Sequence, residues 1–402
     1  MLELDCGQDF DRAREEDFFA AVPPRPGVLL VEMHAAGAQP HIVRTADLRR
    51  AAERLLRQPE PNSKRLNLRE LAARIRYRIT GSKFEQTLAF YQHAKTHAPN
   101  RYQDLLRLRP PAVLKVNLRN AYPRCYATRR IRADDGFYFG PFPSRRAADA
   151  FAGSFLDLFK VRRCKIRIRR DPSFPGCIYS EMKMCLAPCF AGCTEEEYDR
   201  EALSLVESLA TCGEALTSGI ERERESASES LDYEHAAALH KRLDKVSTVL
   251  RNMPDVARRV DELDAVILQR ASEERTAALF PVCGGVFAEP LFLRFGEISS
   301  EPRSVEAILR QTLEPLRPPK SAGDDDRRQE SAATNWRHRY ASKAASPELP
   351  EHLALLARWF YSNPREGEVL FRDDDWPYRR ILRACGRVLA PPAASTPPPA
   401  NS

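Results

Sequence analysis

Four cysteines in this sequence are spaced as the ligands of a metal centre would be. They are Cys164, Cys177, Cys185 and Cys189, all within 26 residues, and the last three follow the pattern Cys-x7-Cys-x3-Cys. A chain without a secretory signal keeps its thiols reduced, and thiolates are the usual ligands of structural zinc and of iron–sulfur clusters. Because the spacing is not the Cys-x2-Cys pairing of common zinc ribbons, it favours an iron–sulfur cluster. Zinc, and four reduced cysteines without a metal, are the alternatives.

Basic residues surround the first of these cysteines. Six of the ten residues from 161 to 170 are Arg or Lys. The alternation in Lys165–Arg169 predicts a strand with one cationic and one apolar face. A basic stripe beside a metal site is typical of a surface that follows nucleic-acid phosphates; the alternative is a solvated charged strand. The candidate DNA-binding residues are Arg129, Arg130, Arg145, Arg146, Arg162, Arg163, Lys165 and Arg167.

Length and composition predict a protein of several parts. The chain has 402 residues and a net charge of +7, which permits nucleic-acid binding without requiring it. A chain of this length holds about two or three domains. No apolar run approaches a membrane span, and the acidic N-terminus does not resemble a signal peptide. We therefore expect a cytoplasmic protein with no membrane partner.

Local patterns place the helices around the cysteines. Residues from about 22 to 99 mix short apolar runs with an amphipathic stretch from Asp47 to Leu56, which indicates a small α/β domain. Ser144 is a good N-cap for a helix with apolar residues on one face. Thr194 and Glu197 form a capping-box pattern, so we expect a helix directly after the last cysteines. Helical periodicity then persists past Arg251.

Motifs on both sides of the cysteines carry a family resemblance. They are Tyr138–Ser144 (YFGPFPS), Val161–Cys164 (VRRC), Pro175–Tyr179 (PGCIY), Cys185–Cys189 (CLAPC) and Glu195–Tyr198 (EEEY). In order and spacing they resemble the central region of the UvrC family, the incision subunit of bacterial nucleotide excision repair. The resemblance implies a [4Fe–4S] cluster on the four cysteines, with one extra residue between the first two. Cys193 is a further thiol without a family counterpart.

A second motif lies in the helical region. Residues 231–243 (LDYEHAAALHKRL) resemble the UVR motif, a helical hairpin through which UvrB and UvrC bind one another. The resemblance implies a UvrB-like helicase partner; the alternative is an ordinary internal coiled-coil hairpin. The candidate partner-binding residues are Leu231, Tyr233, Ala236, Leu239 and Leu243.

The N-terminal region resembles the GIY-YIG nuclease domain of the same family, but its functional positions differ. Leu29 stands where the first motif has tyrosine, and Val43 stands at the glycine of the second motif. Ala51 occupies the arginine position, and Phe90 occupies the position of the metal-binding glutamate. Without that carboxylate, a divalent ion lacks its protein anchor. The resemblance therefore implies a nuclease fold with impaired chemistry.

Other polar residues are candidates for remnants of a catalytic site. His41 could act as a general base, and Glu85 is the carboxylate nearest to Phe90 in sequence. These candidates are His41, Arg44, Arg49, Arg50 and Glu85. Mg²⁺ or Mn²⁺ is expected only if this site is active.

The C-terminal third resembles only the entry to the second, RNase H-like nuclease domain of UvrC. Apolar runs near residues 260–268, 278–280 and 290–295 predict a small antiparallel sheet. We expect Asp324–Asp326 to be a run of solvated charges in a linker.

We expect an α+β multidomain fold: a small α/β GIY-YIG-like N-terminal domain, a cysteine-rich basic module, a helical UVR hairpin and a partial C-terminal α/β region. The expected parts are 1–100 (GIY-YIG-like), 101–193 (basic cysteine-cluster module), 194–255 (helices with the UVR motif), 256–314 (small sheet), 315–347 (linker), 348–390 (helical segment) and 391–402 (disordered tail).

Three functions are compatible with these features. The first is a DNA-binding protein of nucleotide excision repair with an impaired nuclease site. The second is an active, divergent excinuclease subunit that makes a single metal-dependent incision. The third is a scaffold that binds a UvrB-like subunit without touching DNA. Whether the chain is an enzyme stays open; when acting on DNA it would be found with the bacterial nucleoid.

Overall fold

The computed structural model describes residues 1–60, 63–134, 136–295, 304–317, 336–342 and 346–390. Within these ranges the protein is mixed α and β, with three antiparallel sheets, in agreement with the expected α+β class. The predicted disordered tail (391–402) and the acidic run Asp324–Asp326 lie outside the described residues. No helix in the described ranges is long and apolar enough to cross a bilayer.

The N-terminal residues form a four-stranded sheet in the order β1-β4-β2-β3 between two layers of helices. Its strands are β1 (Cys6–Asp9), β2 (Gly27–Met33), β3 (His41–Thr45) and β4 (Ala72–Ile79). Its helices are α1 (Glu15–Ala21), α2 (Leu48–Leu56), α3 (Lys83–His97) and α4 (Tyr102–Leu106), with a 3-10 turn at Arg12–Arg14. Successive side chains of β2 point to opposite faces, so Leu29 packs with α1 and α2 while Leu30 packs with α3. The predicted amphipathic stretch from Asp47 to Leu56 forms α2, and Asp47 caps it by accepting the N–H of Arg50 at 3.0 Å.

The middle of the chain forms a second sheet in the order β6-β5-β7-β8. Its strands are β5 (Ala112–Asn117), β6 (Cys125–Thr128), β7 (Gly136–Phe142) and the short β8 (Arg258–Arg259). The helix α5 (Arg145–Leu156) packs its aromatic residues on one face of this sheet. Ser144 caps α5 by accepting the N–H of Ala147 at 3.0 Å, as predicted.

Helices dominate the next hundred residues. They are α6 (Ile178–Glu181), α7 (Glu195–Ala210), α8 (Glu214–Glu229) and α9 (Tyr233–Leu250), with a 3-10 turn at Pro188–Phe190. The predicted capping box is present: Thr194 Oγ1 accepts the N–H of Glu197 at 3.1 Å, and Glu197 Oε2 accepts that of Thr194 at 2.8 Å. The start of α7 is thereby fixed immediately after the cysteine segment.

The third sheet is built from two distant parts of the chain. Its strands are β9 (Ala265–Arg270), β10 (Thr276–Cys283), β11 (Val286–Phe287), β12 (Leu291–Arg294) and β13 (Glu368–Phe371), and a 3-10 turn at Val260–Glu262 precedes them. Its helices are α10 (Val305–Leu313), α12 (Leu349–Phe360) and α13 (Tyr378–Leu389). The antiparallel pairing of β9, β10 and β12 confirms the predicted small sheet. Strand β13, in the segment expected to be helical, pairs with β9 and completes it.

Part of the predicted linker is packed. The short helix α11 (Trp336–Tyr340) buries Trp336 and Tyr340 in the core of the middle sheet. Arg337 forms an ion pair with Asp199 of α7 and donates to the carbonyl of Asn120 at 2.7 Å. This stretch of the predicted linker therefore belongs to the middle sheet.

One hydrophobic core joins the N-terminal domain to the third sheet. Phe84 of α3 lies 5.2 Å from Phe280 of β10 and 5.8 Å from Trp359 of α12, measured between ring centroids. His352 is buried on the other side of Phe287, which also contacts Phe84. The Nδ1 of His352 accepts the N–H of Phe287 at 2.9 Å. Burial lowers the pKa of His352, and Lys95 lowers it further, whereas Glu348 and Glu351 act to raise it.

This histidine should make the junction sensitive to acid. Its folded pKa lies below its unfolded value of about 6.5, so the unfolded chain binds the proton and the free energy of unfolding falls as the pH drops below about 6.5. Urea unfolding followed by tryptophan fluorescence should show this between pH 7 and pH 5. His352→Asn, which keeps an acceptor for Phe287, should reduce the slope by at most about 1.4 kcal/mol per pH unit. The exposed His235→Asn serves as the control; an unchanged slope in His352→Asn would contradict the prediction.

Candidate metal centre and nucleic-acid interface

The segment that carries the cysteines has almost no apolar core of its own. None of the 24 residues from 163 to 186, all described, is buried, although Ala187, Pro188 and Cys189 are. Its regular structure is limited to α6 and the 3-10 turn. The prediction of a strand at Lys165–Arg169 is wrong: within the described ranges these residues form no strand and pair with none. Arg162 instead donates to the carbonyl of Ile166 at 2.9 Å.

The four cysteine thiols lie close enough to influence one another. Burial raises the pKa of Cys185 to about 11, and Cys164, Cys177 and Cys189 each raise it further. The N–H of Ala187 donates to Cys185 Sγ at 3.3 Å, and this hydrogen bond lowers the pKa of Cys185. Burial and Cys177 likewise raise the pKa of Cys189. Cys185 and Cys189 therefore keep their protons at neutral pH unless a cation stabilises their thiolates.

The thiols are neighbours but do not form a finished coordination shell. Among the described residues, no group of three or more His, Cys, Asp or Glu side chains is arranged as a metal site. The donor set nevertheless suits a cluster, since it consists of four cysteines with N–H groups directed at sulfur. Such hydrogen bonds tune iron–sulfur centres.

Buried polar contacts anchor the entrance to this segment. Arg162 is 4% exposed, and its Nε donates to the carbonyl of Tyr122 at 2.8 Å. Its backbone N–H donates to the hydroxyl of Tyr198 at 3.0 Å, and that hydroxyl donates to the carbonyl of Pro123 at 2.8 Å. These contacts tie the residue before Arg163 and Cys164 to both the middle sheet and α7.

The predicted DNA-binding residues lie in different environments. Arg162 is buried, and Arg163 Nη2 lies 2.7 Å from Asp157 Oδ1. Arg145 is exposed and forms an ion pair with Asp149 at 3.0 Å. The remaining candidates are exposed at the surface: Arg129, Arg130, Arg146, Lys165 and Arg167.

Several of these cations line a groove beside β6. The groove has a volume of about 460 Å³ and includes Arg130, Arg145 and Lys165. The sequence prediction did not include three of its other residues, Lys115, Arg124 and Tyr126. They come together because β5 and β6 pair with Lys115 opposite Tyr126. The alternation of polar and apolar residues along these two strands is the sequence pattern that could have identified them.

Apolar side chains fill positions where the resemblance places nuclease groups. Leu29 is 0%, Ala51 2% and Phe90 5% exposed. Leu29 and Ala51 belong to the core on one face of the N-terminal sheet, whereas Phe90 belongs to the core on the other face. Val43 is partly buried against the first of these cores.

The remnant candidates are held by separate structural contacts. Arg49 donates to the carbonyls of Val22 and Ala20 at 2.8 and 2.9 Å. Arg50 is exposed, 3.5 Å from Asp47. Arg44 lies 5.1 Å from the centre of the Phe90 ring.

The two remaining remnant candidates are a buried carboxylate and a partly buried histidine. Glu85 is 1% exposed; it accepts Nε–H of Arg78 at 3.1 Å and the N–H of Gly81 at 2.9 Å. Burial raises the pKa of Glu85. His41 lies on β3, where burial and then Arg54 lower its pKa. The hydrogen bonds and ion pairs of the described residues do not join the five candidates into one site.

The UVR-like hairpin is formed by α8 and α9, which pack along their length. Leu239 is 4% exposed and lies in the small core between the two helices, against which Ala236 and Leu243 pack. Leu231 and Tyr233, at the tip, are 68% and 66% exposed. The five predicted partner-binding residues therefore divide into an interior group and an exposed tip.

Comparison with known proteins agrees with this arrangement. A sequence model described as the UvrC/Cho excinuclease middle domain matches residues 112–208, which carry the middle sheet, the cysteine segment and most of α7. The UvrABC system protein C of Moorella thermoacetica is 27% identical over 301 residues, covering 74% of this chain and 48% of that protein. The corresponding protein of Oleidesulfovibrio alaskensis is 29% identical over 278 residues, covering 68% and 38%. That of Serratia proteamaculans is 28% identical over 258 residues, covering 64% and 42%.

These similarities define what the chain resembles. Residues 112–208 match the middle domain of UvrC/Cho excinucleases, and the chain is 27–29% identical to the three UvrC proteins along 64–74% of its length. It spans less than half the length of these three relatives, between 38% and 48%. No solved structure matches the chain.

Proposed function

We propose that this chain is a DNA-binding component of nucleotide excision repair that keeps a nuclease fold but does not cut DNA efficiently. One contrast carries the proposal. Buried apolar residues occupy nuclease positions, at Leu29, Ala51 and Phe90, whereas the cationic groove beside β6 is open to solvent. A divalent ion needs oxygen ligands, and phosphoryl transfer needs that ion or an equivalent charge at the leaving oxygen.

The carboxylate nearest in sequence to the expected metal position does not replace the missing glutamate. Glu85 is buried and already accepts hydrogen bonds from Arg78 and Gly81. A carboxylate held in this way supports the local fold, and moving it to a metal would leave Arg78 without its buried partner. This argues against a site rebuilt on Glu85.

The cysteine module would support DNA binding by giving the cationic surface a fixed shape. The residues proposed to hold a [4Fe–4S] cluster are Cys164, Cys177, Cys185 and Cys189. A bound cluster supplies a crosslink between segments that bury too little to order themselves, together with a one-electron centre. The contacts of Arg162 with Tyr122 and Tyr198 then hold this module against the middle sheet.

The hairpin is the proposed route to a UvrB-like partner. Its tip presents Leu231 and Tyr233 to solvent, next to a helix pair that is already packed. Helical elements with exposed apolar residues gain stability by docking against a second helical element. The partner would therefore meet the tip rather than the Leu239 side.

The experiment is an incision and binding assay on a lesion-bearing duplex. With Mg²⁺ or Mn²⁺, with and without a UvrAB-type loading system, we expect no specific nicking. Binding should weaken steeply with salt, because each neutralised phosphate contributes a slope of about 0.9 in log Kd against log salt. Arg146→Glu combined with Arg167→Glu should weaken binding about tenfold. The matched control is Arg379→Glu with Arg380→Glu, on exposed positions of α13.

Two outcomes would contradict the proposal. Specific nicking that is lost in His41→Ala or Glu85→Gln would mean that the site has been rebuilt from new residues. Partner binding without any affinity for DNA would leave the protein as a scaffold.

A further inference from the structure

The groove beside β6 combines cations with an aromatic side chain. Among the residues that the structure describes, six basic residues and one acidic residue, Asp134, line it. Its basic residues are Lys115, Arg124, Arg130, Arg132, Arg145 and Lys165. Asp134 is taken up by an ion pair with Lys115. Arg124, Arg130, Arg132 and Lys165 make no ion pair with any residue in the described ranges, so the groove has a strong net positive charge.

Tyr126 is the half-buried aromatic residue of this groove. It lies on the edge strand β6, directly opposite Lys115 of β5. The guanidinium of Arg124 lies 4.4 Å from the centre of its ring. Phenol rings and guanidinium planes are both surfaces on which unpaired bases stack. Arg124 and Tyr126 thus form a surface suited to stacking with a base, and the other cations of the groove lie beside it.

Hydrogen bonds to Asp134 and Tyr138 hold the loop that carries Arg130 and Arg132. Asp134 Oδ1 accepts the hydroxyl of Tyr138 at 2.9 Å and the N–H of Gly136 at 3.1 Å. The hydroxyl of Tyr138 in turn accepts the N–H of Arg132 at 3.3 Å. Tyr138 is fully buried, so this network fixes the backbone beneath the groove instead of offering a second stacking surface.

We infer that this groove binds an unpaired strand of DNA, with phosphates on the cations and a base stacked on Tyr126. The inference rests on the proposed DNA-binding function and specifies the form of DNA that this surface takes. Its volume of about 460 Å³ is that of a ligand cleft, which suits nucleotides and not a whole duplex. In a duplex, each base face is covered by the next base pair, so a recessed tyrosine can reach a base only where the strand is unpaired. Such a site would hold the strand that is opened around a lesion.

Fluorescence anisotropy of the full chain tests this. The probe is a labelled oligodeoxynucleotide of about 12 nucleotides, compared with its blunt duplex. Tyr126→Ala should weaken single-strand binding about tenfold, the size expected for loss of one stacked base, and change duplex binding less than about twofold. Tyr126→Phe, which keeps the ring, should restore single-strand binding. The control for a substitution away from the groove is Arg379→Ala, on an exposed position of α13.

The remaining outcomes separate this inference from the proposed function. If Tyr126→Ala leaves single-strand binding intact while Arg130→Glu with Lys165→Glu weakens it, the stacking role is overturned and DNA binding stands. Preference for the duplex by the unmodified protein would also overturn the inference. If the unmodified protein binds neither form, the proposed function itself fails. Circular dichroism and thermal unfolding establish that each variant is folded, so that loss of binding reports on the groove.

Discussion

Protein purified without oxygen should be brown and should contain about four iron atoms and four acid-labile sulfides per chain. Replacing Cys185 with Ala should abolish the colour and release the segment from 163 to 186. The effect is large because none of these residues is buried, so the segment has no apolar core to keep it ordered when the crosslink is lost. Limited proteolysis and hydrogen exchange would show this as new cleavage and rapid exchange confined to the cysteine module.

Cys193→Ser provides the matched control for this experiment. Cys193 is buried and close enough to Cys189 for the two thiols to interact electrostatically. It has no counterpart among the four family positions, so its replacement should leave iron and sulfide unchanged. Stoichiometric zinc without sulfide would contradict the iron–sulfur assignment while preserving a metal site. Metal-free protein with an ordered module would contradict both.

Tyr233→Asp and Leu231→Asp should each weaken binding of a UvrB-like partner at least tenfold, or about 1.4 kcal/mol or more. Both side chains are about two-thirds exposed, so the substitutions should leave the thermal stability of the free protein nearly unchanged. Burying the new carboxylate against an apolar partner is what costs binding energy. Calorimetry with purified partner measures the affinity, and circular dichroism measures the stability.

Leu239→Asp distinguishes the interior of the hairpin from its tip. Leu239 is 4% exposed between α8 and α9, so a charge there should destabilise the hairpin by several kcal/mol. Lys241→Glu, on an exposed position of the same helix, is the control for charge alone. Partner binding that survives both tip substitutions in folded protein would mean that the hairpin is an internal structural element only.

Features with local causes were predictable from the sequence. The caps at Asp47 and Ser144 and the capping box of Thr194 with Glu197 depend on residues within one helical turn, and all three are present. The proximity of the four cysteines also follows from their short separation along the chain. Alternation at Lys165–Arg169 was misleading because a strand also requires a neighbour with which to form hydrogen bonds.

Features set by distant partners were not predictable from the sequence. Strand β13 exists because Glu368–Phe371 finds the edge of β9 about a hundred residues earlier. The groove depends on strand register, which brings Lys115 opposite Tyr126. Burial of Trp336 within a stretch of linker-like composition likewise depends on a surface provided by the middle sheet.

The core shared by Phe84, Phe280 and Trp359 constrains how this protein can be dissected and how it can evolve. An N-terminal domain expressed alone would expose the apolar face of α3 and would be prone to aggregate. Exchange of that domain between relatives would succeed only if matching residues of β10 and α12 were carried with it. The residues on the two sides of this contact, which are nearly three hundred positions apart in the sequence, must therefore change together. The N-terminal stretch looks separable in the sequence, but it does not evolve independently of them.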